Sequence, residues 1–185
     1  MLEISQITDN VWVGSRPQDD SDYQYIAALG IQMVVDLTSD ISWDVSDNGQ
    51  RWAQLGLIYK HLPIIDTFPP SYQNVHVLET EIFPLTKTGF ATYIHCRLGH
   101  GRSPTVAILY LIMAGRYNVD EAISRVQNVH GDTELTYEQL EFLDKFKTYG
   151  EDEDEEADAE DRQYMREWTK DDVKKAAEKK AKYIK

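Results

Sequence analysis

The feature that most constrains the fold is an apolar strand joined by a short loop to an apolar helix. Residues 91–95, ATYIH, have the pattern of a short buried strand, and residues 103–115, SPTVAILYLIMAG, form a predicted helix that is apolar on nearly every side. A helix without a polar face is buried within a domain and does not lie on its surface. The intervening residues 96–102, CRLGHGR, are therefore a loop held between two core elements.

Strand-like and helix-like segments alternate through residues 1–150. Besides the unit just described, the predicted strands are 7–14, with a turn at Asp9-Asn10, 31–37 and 57–63, and the predicted helices are 21–28, 48–56, 72–86, 119–129 and 136–147. Pro84 is expected to kink or end its helix because proline has no N–H to donate. This alternation predicts an α/β domain with a mainly parallel central sheet of about four to five strands and helices on both faces. Ligands bind such sheets beyond the carboxyl ends of the strands, where the 96–102 loop begins.

The charge along the chain divides it into three parts. Residues 1–150 carry a net charge of −9, residues 151–161, EDEDEEADAED, hold nine acidic residues out of eleven, and residues 162–185 carry a net charge of +5. A run of like charges repels itself and stays solvated. We therefore predict a globular domain, an acidic linker and a basic, helical tail. The tail is expected to be solvated or mobile, with docking of a partner or of its own acidic domain as alternatives.

The composition disfavours several classes of partner. The net charge of −13 argues against nucleic acid and anionic membranes as main partners, because both attract dense Lys and Arg. No apolar run reaches the ~18 residues of a membrane span, and the first ten residues lack the pattern of a signal peptide. A single cysteine, Cys96, excludes an internal disulfide bond. The expectation is a reducing, cytoplasmic location without a membrane or nucleic-acid partner.

The 96–102 loop combines residue types that bind a phosphate group. In a tight loop before a helix, the backbone N–H groups and the helix N-terminus converge on one point and make an anion site. Gly99 and Gly101 are expected to provide the positive φ values and the close backbone approach that such a loop needs. Arg102 carries a planar guanidinium that can bind two oxygens of one phosphate group, which a lysine cannot do.

Cys96 is the predicted nucleophile of this site. The converging N–H groups, the helix dipole and Arg102 all favour its thiolate form. A thiolate so placed can attack phosphorus in line with the leaving oxygen. The Ser103 hydroxyl is expected to donate to the sulfur when the phosphocysteine is hydrolysed. The alternative is a buried structural thiol, against which the glycine-containing loop and Arg102 both argue.

Asp66 is the predicted general acid. It follows the predicted strand 57–63, which is expected beside the strand that ends at the cysteine, in a loop stiffened by two prolines. There it would protonate the leaving group and then serve as the base for the attacking water. An ordinary loop aspartate is the alternative, and Asp40 and Asp44 are the fallback candidates for the acid.

Residues 95–103 match the signature H-C-x-x-G-x-x-R-[ST] of protein tyrosine phosphatases at every fixed position. The longer stretch HCRLGHGRSPT, with ITDNVWVGSRP near the start, resembles the small dual-specificity phosphatases over residues 4–147. The resemblance implies a catalytic domain over residues 1–150, with the 96–102 loop as the phosphatase P-loop between a central strand and a buried helix. It also implies no metal and no organic cofactor. One segment departs from the pattern, because residues 128–143, NVHGDTELTYEQLEFL, lack the Pro or Pro-Asn element that many such enzymes have before a Gln-containing helix.

The resemblance also assigns roles to individual residues. Cys96 would form the phosphoenzyme, Arg102 would bind phosphate and Asp66 would be the general acid. His95 would order the P-loop and help to keep the thiolate, with a core histidine bonded to the backbone as the alternative. The P-loop residues predicted to bind the substrate are Arg97, Leu98, Gly99, His100 and Gly101. For the Arg97 and His100 side chains, solvated loop positions are the alternative.

The predicted substrate is a phosphorylated protein or peptide, with phosphotyrosine first and phosphoserine or phosphothreonine as an extension. The signature also occurs in enzymes for phosphoinositides, inositol phosphates and RNA 5′-phosphates, so a small-molecule phosphatase is an alternative. A phosphate-binding module without turnover is a second alternative, and sulfur or arsenate chemistry is a third. Binding modules of this kind usually lack a core catalytic residue, and arsenate reduction generally needs further cysteines. The presence of Cys96, Arg102 and Asp66 in a chain with one cysteine therefore favours a phosphatase.

Overall fold

The computed structural model describes residues 2–39 and 45–147. Its strands are β1 Ile4–Thr8, β2 Val11–Ser15, β3 Met33–Asp36, β4 Ile58–His61 and β5 Thr92–Cys96. Its helices are α1 Asp20–Ala28, α2 Val45–Gln54, α3 Tyr72–Val77, α4 Phe83–Lys87, α5 Arg102–Met113, α6 Val119–Val129 and α7 Tyr137–Asp144, with a π-helical turn at Leu78–Ile82 between α3 and α4. The predicted linker 151–161, the predicted tail 162–185 and the fallback acids Asp40 and Asp44 lie outside the described residues. Within the part of the chain that is described, no helix is long and apolar enough to span a bilayer.

The strands form one sheet in the order β1-β2-β5-β3-β4. The central strand β5 pairs in parallel with β2 on one side and β3 on the other, and β4 extends the sheet in parallel beyond β3. The first strand, β1, runs antiparallel to β2, because the predicted turn at Asp9-Asn10 joins the two strands directly as a hairpin. The predicted α/β architecture with a mainly parallel sheet is confirmed, but the expectation that the strand within 57–63 lies beside the cysteine strand is wrong, because β3 lies between β4 and β5.

Alternate residues of the central strands face two separate cores. On one face, Val34 and Tyr93 pack with Tyr23 of α1 and Trp52 of α2, whose rings lie 4.5 Å apart. On the other face, Ile94 packs in a larger core that includes α5, every residue of which is buried. The period of two along a strand places these side chains on opposite faces. The predicted burial of the helix after the P-loop is therefore confirmed.

The predicted helix 72–86 is interrupted rather than ended at Pro84. Pro84 has no N–H to donate to the carbonyl one turn earlier, which removes one hydrogen bond from the ladder. The chain accommodates this loss by widening, since the Phe83 N–H donates to the Leu78 carbonyl, five residues back. The result is a π-helical turn between α3 and α4, a local widening that commonly absorbs such a defect.

Several element ends differ from the sequence prediction, and three of them, at the first helix and at the P-loop, differ by one residue. The first helix begins at Asp20 because the Asp19 carboxylate caps it, accepting from the N–H groups of Ser21 at 2.9 Å and Asp22 at 3.2 Å. At the P-loop, β5 extends to Cys96 and α5 already begins at Arg102. The nucleophile and the predicted phosphate ligand are therefore both fixed by regular elements.

Gly14 of β2 provides a test of this packing, because a side chain there has no room. A Cβ at Gly14 would lie 1.9 Å from the Glu3 carbonyl oxygen and 2.9 Å from the Tyr93 hydroxyl, whereas a Cβ at Gly131 would meet nothing within 4 Å. We expect Gly14→Ala to lower the free energy of unfolding by about 3 kcal/mol, at the upper end for overpacked sites. Gly131→Ala is the control and should change it by under about 0.5 kcal/mol. Urea unfolding of the two variants checks this, and equal stability would contradict the packing of β1 on β2.

Candidate active site

Cys96 lies at the base of the P-loop, at the carboxyl end of the central strand. Its side chain is buried, with 2% of the residue exposed. The Gly99 N–H donates to Sγ at 3.3 Å, and the Ser103 hydroxyl lies 3.5 Å from the same sulfur. Gly99 has a φ of 94°, as predicted, and this left-handed conformation turns its N–H back towards the sulfur. The structure thus brings the predicted nucleophile and the predicted hydroxyl donor together.

Four carbonyl oxygens of the P-loop accept hydrogen bonds from residues outside the loop. Their donors are Arg16 N to Arg97 O at 3.4 Å, His130 Nε2 to Gly99 O at 3.1 Å, Glu134 N to His100 O at 2.8 Å, and Thr105 N and Oγ1 to Gly101 O at 3.0 and 2.8 Å. The C=O and the N–H of one peptide unit point in opposite directions. When a carbonyl bonds to a group outside the loop, the N–H of the next residue therefore points to the space above the sulfur. Several such N–H groups make an anion-binding arrangement.

Arg102 presents one edge of its guanidinium to that space. Its Nη1 is anchored, donating to the Ile64 carbonyl at 3.1 Å and the Leu37 carbonyl at 3.4 Å. Its Nη2 lies 3.0 Å from Asp66 Oδ1, and its buried Nε has no hydrogen-bond partner among the described residues. The Nε and Nη2 groups form the planar fork that binds two oxygens of a phosphate. The anchored Nη1 fixes the orientation of this fork.

Asp66 stands on the loop after β4, and the ion pair places its carboxylate beside the P-loop. Its side chain is 40% exposed, against 2% for Arg102, so solvent reaches the acid but not the base of the site. The next residue, Thr67, has a φ of 70°, a strained value for a β-branched residue. The Thr67 carbonyl accepts from Thr136 Oγ1 at 2.8 Å. This contact holds the strained turn that presents Asp66.

Gln139 of α7 links the acid loop to the P-loop. Its side chain is fully buried, and its Nε2 donates to the Phe68 carbonyl at 3.3 Å. A Cβ on Gly101 would lie 3.3 Å from both the Nε2 and the Oε1 of Gln139. The prediction of a positive φ at Gly101 is wrong, since its φ is −118°. Glycine is needed there for the close approach of Gln139, and of the two glycines Gly99 provides the left-handed turn.

His95 is buried beneath the P-loop beside Asp36 of β3. Its Nδ1 lies 3.8 Å from Asp36 Oδ1, and neither ring nitrogen forms a hydrogen bond within the described residues. Asp36 accepts from the N–H and hydroxyl of Thr38 at 2.8 and 2.6 Å and from the Tyr59 hydroxyl at 2.7 Å. The ring adjoins a carboxylate that its own neighbours orient, and the Cys96 backbone is close enough to influence the pKa of the ring.

Burial and charge set the ionisation of this pair. Burial lowers the pKa of His95, against the opposing influence of the Asp36 carboxylate, so the ring is neutral at pH 7. Burial alone would raise the pKa of Asp36, but the nearby His95 and the hydrogen bonds from Thr38 and Tyr59 outweigh it, and the pKa lies below its usual value. The anion therefore resides on Asp36, one strand away from the nucleophile.

The remaining P-loop side chains differ in exposure. Arg97 and Leu98 are exposed, Leu98 by 59%, which is compatible with contact to a substrate. The His100 Nε2 lies 2.9 Å from Glu3 Oε2, so its ring is turned towards the start of β1. Glu3, His100 and Asp132 are also the one group among the described residues that could offer three donor atoms to a metal ion, all within 4.8 Å of one another. They are partly or fully exposed, and the hydrogen bond accounts for the contact between Glu3 and His100.

Sequence reasoning missed three residues that shape this site. The sequence patterns single out none of Asp36, Thr136 and His130. His130 lies in the segment 128–143 that departs from the familiar phosphatase pattern. That departure was the one available signal, and it did not indicate which residue replaces the missing element.

A strand–loop–helix unit with a cysteine at its base and an arginine at its rim is typical of cysteine-dependent phosphatases. Residues 7–147 match the family described as PTP-SAK, Swiss Army Knife protein, DSP-PTPase phosphatase domain. This match spans well over half of the chain, and the chain belongs to that family. The protein is thus a phosphatase of the dual-specificity and protein tyrosine phosphatase superfamily, as the resemblance predicted.

Curated relatives include proteins called phosphatidylglycerophosphatase and protein-tyrosine phosphatase 1. The one from Mus musculus is 22% identical over 143 residues, which cover 76% of this chain and 74% of the mouse protein. The one from Rattus norvegicus is 27% identical over 101 residues, which cover 54% of this chain and 52% of the rat protein. The chain thus spans only about half of the rat relative in that match.

Solved structures share the fold. Tk-PTP in the active form is 26% identical with a TM-score of 0.69, and the match covers 78% of this chain and 95% of that one. PTPMT1 is 21% identical with a TM-score of 0.68, covering 80% of this chain and 95% of that one. Kinase-associated phosphatase is 20% identical with a TM-score of 0.68, and the match covers 80% of this chain and 94% of that one. At such identities, PTPMT1 and kinase-associated phosphatase are informative about the fold alone.

The buried ring of His95 predicts a pH dependence of stability. Because its folded pKa lies below the ordinary value of 6.5, the unfolded chain binds a proton more readily than the folded one as the pH falls. The contribution of the neutral ring to the free energy of unfolding is fully present above pH 6.5. As the pH falls below 6.5, this contribution decreases by at most about 1.4 kcal/mol per pH unit. The free energy of unfolding of the wild type should therefore decrease relative to that of His95→Asn between pH 7 and pH 5.

Urea unfolding at pH 7, 6 and 5 measures that difference. His76→Asn, at an exposed position, controls for the loss of a histidine as such. The difference in unfolding free energy from the wild type is compared for His95→Asn and His76→Asn. If the two differences changed equally with pH, the effect could not be assigned to the buried ring.

Proposed function

We propose that the protein hydrolyses phosphomonoesters through a phosphocysteine intermediate. The observation that carries this proposal is the convergence of three groups at the P-loop. The Cys96 sulfur lies beneath inward-facing N–H groups, and the Arg102 fork lies 3.0 Å from the Asp66 carboxylate. A phosphate on the N–H groups and the fork would have the sulfur on one side and the acid within reach of the ester oxygen on the other.

In the first step, the Cys96 thiolate attacks phosphorus. An S–P bond forms, the P–O bond to the substrate breaks, and Asp66 transfers its proton to the leaving oxygen. The N–H groups and Arg102 stabilise the charge on the equatorial oxygens in the transition state. The ion pair of Arg102 with Asp66 fits this step, because phosphate takes over the guanidinium fork and leaves the acid next to the ester oxygen.

In the second step, water attacks the phosphocysteine. Asp66, now a carboxylate, accepts a proton from the water, a P–O bond forms and the S–P bond breaks. The sulfur leaves as a thiolate, and the Ser103 hydroxyl, 3.5 Å away, can donate to it. The products are inorganic phosphate and the regenerated enzyme, so the cycle needs no metal ion, oxidant or reductant.

The proposed substrate is a phosphorylated protein or peptide, and phosphotyrosine is the first candidate. The net charge of −13 supports this choice, because it repels an anionic bilayer. A single phosphorylated side chain can still be bound, since the P-loop supplies local positive potential from N–H groups, Arg97 and Arg102. The cytoplasmic location and docking of a partner through residues 162–185 remain part of this proposal.

A phosphorylated lipid headgroup or another small-molecule phosphate is the second candidate. The names of the relatives from rat and mouse include both a phosphatidylglycerophosphatase and a protein-tyrosine phosphatase activity. One solved structure of PTPMT1 is a complex with PI(5)P. The P-loop chemistry is the same for both classes, so the groups around the ester oxygen decide between them.

Substitution at the two reacting groups tests the mechanism. Cys96→Ser should abolish release of phosphate from aryl phosphates without added metal. Asp66→Asn should reduce kcat about 10²- to 10⁴-fold for phenyl phosphate, and less for p-nitrophenyl phosphate, whose leaving group needs little protonation. Asp9→Asn, in the exposed β1–β2 turn, is the matched control and should retain wild-type turnover. An equal loss with both leaving groups would contradict the role of Asp66 as the acid.

A substrate panel separates the two candidate classes. We expect kcat/KM for a phosphotyrosine peptide to exceed that for phosphatidylglycerophosphate in phosphatidylcholine vesicles and for inositol phosphates by about tenfold or more, equivalent to 1.4 kcal/mol. Cys96→Ser is the blank for each substrate. The reverse order would overturn the protein substrate and favour the lipid. Vanadate binding without turnover of any substrate would indicate a phosphate-binding module.

A further inference from the structure

We propose that His130 is a positioning residue of the P-loop. Its imidazole bonds to the Gly99 carbonyl on the outer side of the loop, and the His100 N–H of the same peptide group is thereby directed at the phosphate. His130 follows α6 and is 3% exposed. Its Nε2 lies 3.1 Å from the Gly99 carbonyl oxygen, and its Nδ1 lies 2.9 Å from the Ser5 hydroxyl of β1. The inference rests on the phosphatase function proposed above, and it adds a residue outside the signature.

The two hydrogen bonds define the proton positions on the ring. A carbonyl oxygen can only accept, so Nε2 must carry a hydrogen. In the neutral ring Nδ1 then accepts, and the Ser5 hydroxyl donates to it. Ser5 therefore selects the tautomer that can bond to the P-loop, as outer partners commonly do for functional histidines.

The Gly99 carbonyl also competes for the Ser103 hydroxyl. Ser103 Oγ lies 3.3 Å from the carbonyl oxygens of both Gly14 and Gly99, and 3.5 Å from the Cys96 sulfur. A hydroxyl has a single hydrogen to donate. Because His130 supplies a donor to Gly99, Gly99 competes less for the Ser103 hydrogen, which leaves the sulfur and the Gly14 carbonyl as its acceptors. The imidazole thus supports both the phosphate cradle and the departure of the thiolate.

The segment around His130 holds two successive carbonyls of the P-loop. The His130 ring bonds to Gly99, and the Glu134 N–H bonds to the His100 carbonyl at 2.8 Å. A tight turn joins these two contacts, since Thr133 donates to the His130 carbonyl from its N–H at 3.1 Å and from its hydroxyl at 2.7 Å. The turn is part of the segment 128–143 that lacks the expected Pro or Pro-Asn element. His130 therefore supports the P-loop at the point where the sequence departs from the pattern.

Two variants of the same polarity test the role. In His130→Gln, the side-chain amide nitrogen can reach the position of Nε2 and donate to Gly99. In His130→Asn, the shorter amide reaches only the position of Nδ1, near Ser5. We expect the Asn variant to bind orthovanadate about 10- to 100-fold more weakly than the wild type and to lose kcat/KM for p-nitrophenyl phosphate by a similar factor. The Gln variant should stay within about threefold of the wild type.

Equal vanadate Kd and equal kcat/KM for the two variants, at whatever level, would overturn the proposal. Thermal unfolding of both accompanies the assay, so that a difference in Kd between equally stable variants reports on the P-loop and not on the fold. Vanadate binding is measured without turnover. A wild type that binds vanadate but hydrolyses nothing would therefore refute the proposed function and still leave the comparison of His130 variants decisive.

The link to Ser103 has its own readout. In rapid-mixing experiments with p-nitrophenyl phosphate, His130→Asn should slow the steady state more than the initial burst, because hydrolysis of the phosphocysteine depends on the Ser103 hydrogen. In a Ser103→Ala background the His130→Asn substitution should no longer change the ratio of burst to steady state. An unchanged effect in that background would refute the coupling between the two residues.

Discussion

The P-loop can present its N–H groups to an anion only because its carbonyl oxygens are bonded elsewhere. A peptide group buried without a partner costs about as much as the hydrogen bond it loses. If the N–H groups of the loop point inwards, its carbonyl oxygens point outwards and need donors from elsewhere in the domain. Here the donors come from distant parts of the chain, including the His130 ring and the Glu134 backbone. The cradle is therefore a property of the whole domain, although its sequence signature covers nine residues.

The need for bonded carbonyls also explains how Asp66 and Cys96 are held in a fixed relative position. Helix α7 begins with a capping box in which Thr136 and Gln139 bond to each other's backbone. The same two side chains also reach the carbonyls of Thr67 and Phe68 in the acid loop, and Gln139 packs against Gly101 of the P-loop. One helix end thus supports both loops, and a shift of α7 would move Asp66 and the P-loop together.

The sequence was sufficient where the determining contacts are local. The apolar strand and helix around residues 96–102, and the left-handed turn at Gly99, follow from neighbouring residues and are found as predicted. The positive φ predicted for Gly101 is wrong because glycine is needed there for close contact with Gln139, which lies 38 positions further along the chain. His130 was missed for the same reason, since its partner Gly99 is 31 residues away. Pairings across such distances depend on how the helices pack, which residue patterns alone do not specify.

The ion pair between Arg102 and Asp66 connects the free enzyme with the proposed reaction. Arg102 is almost fully buried and needs a partner for its charge, while Asp66 is partly exposed and can turn. In the absence of phosphate, the carboxylate stabilises the guanidinium fork. In the proposed reaction, phosphate would replace the carboxylate at the fork and Asp66 would lie beside the ester oxygen. The contact that compensates the charge of Arg102 therefore also keeps Asp66 close to where the proposed reaction places the leaving oxygen.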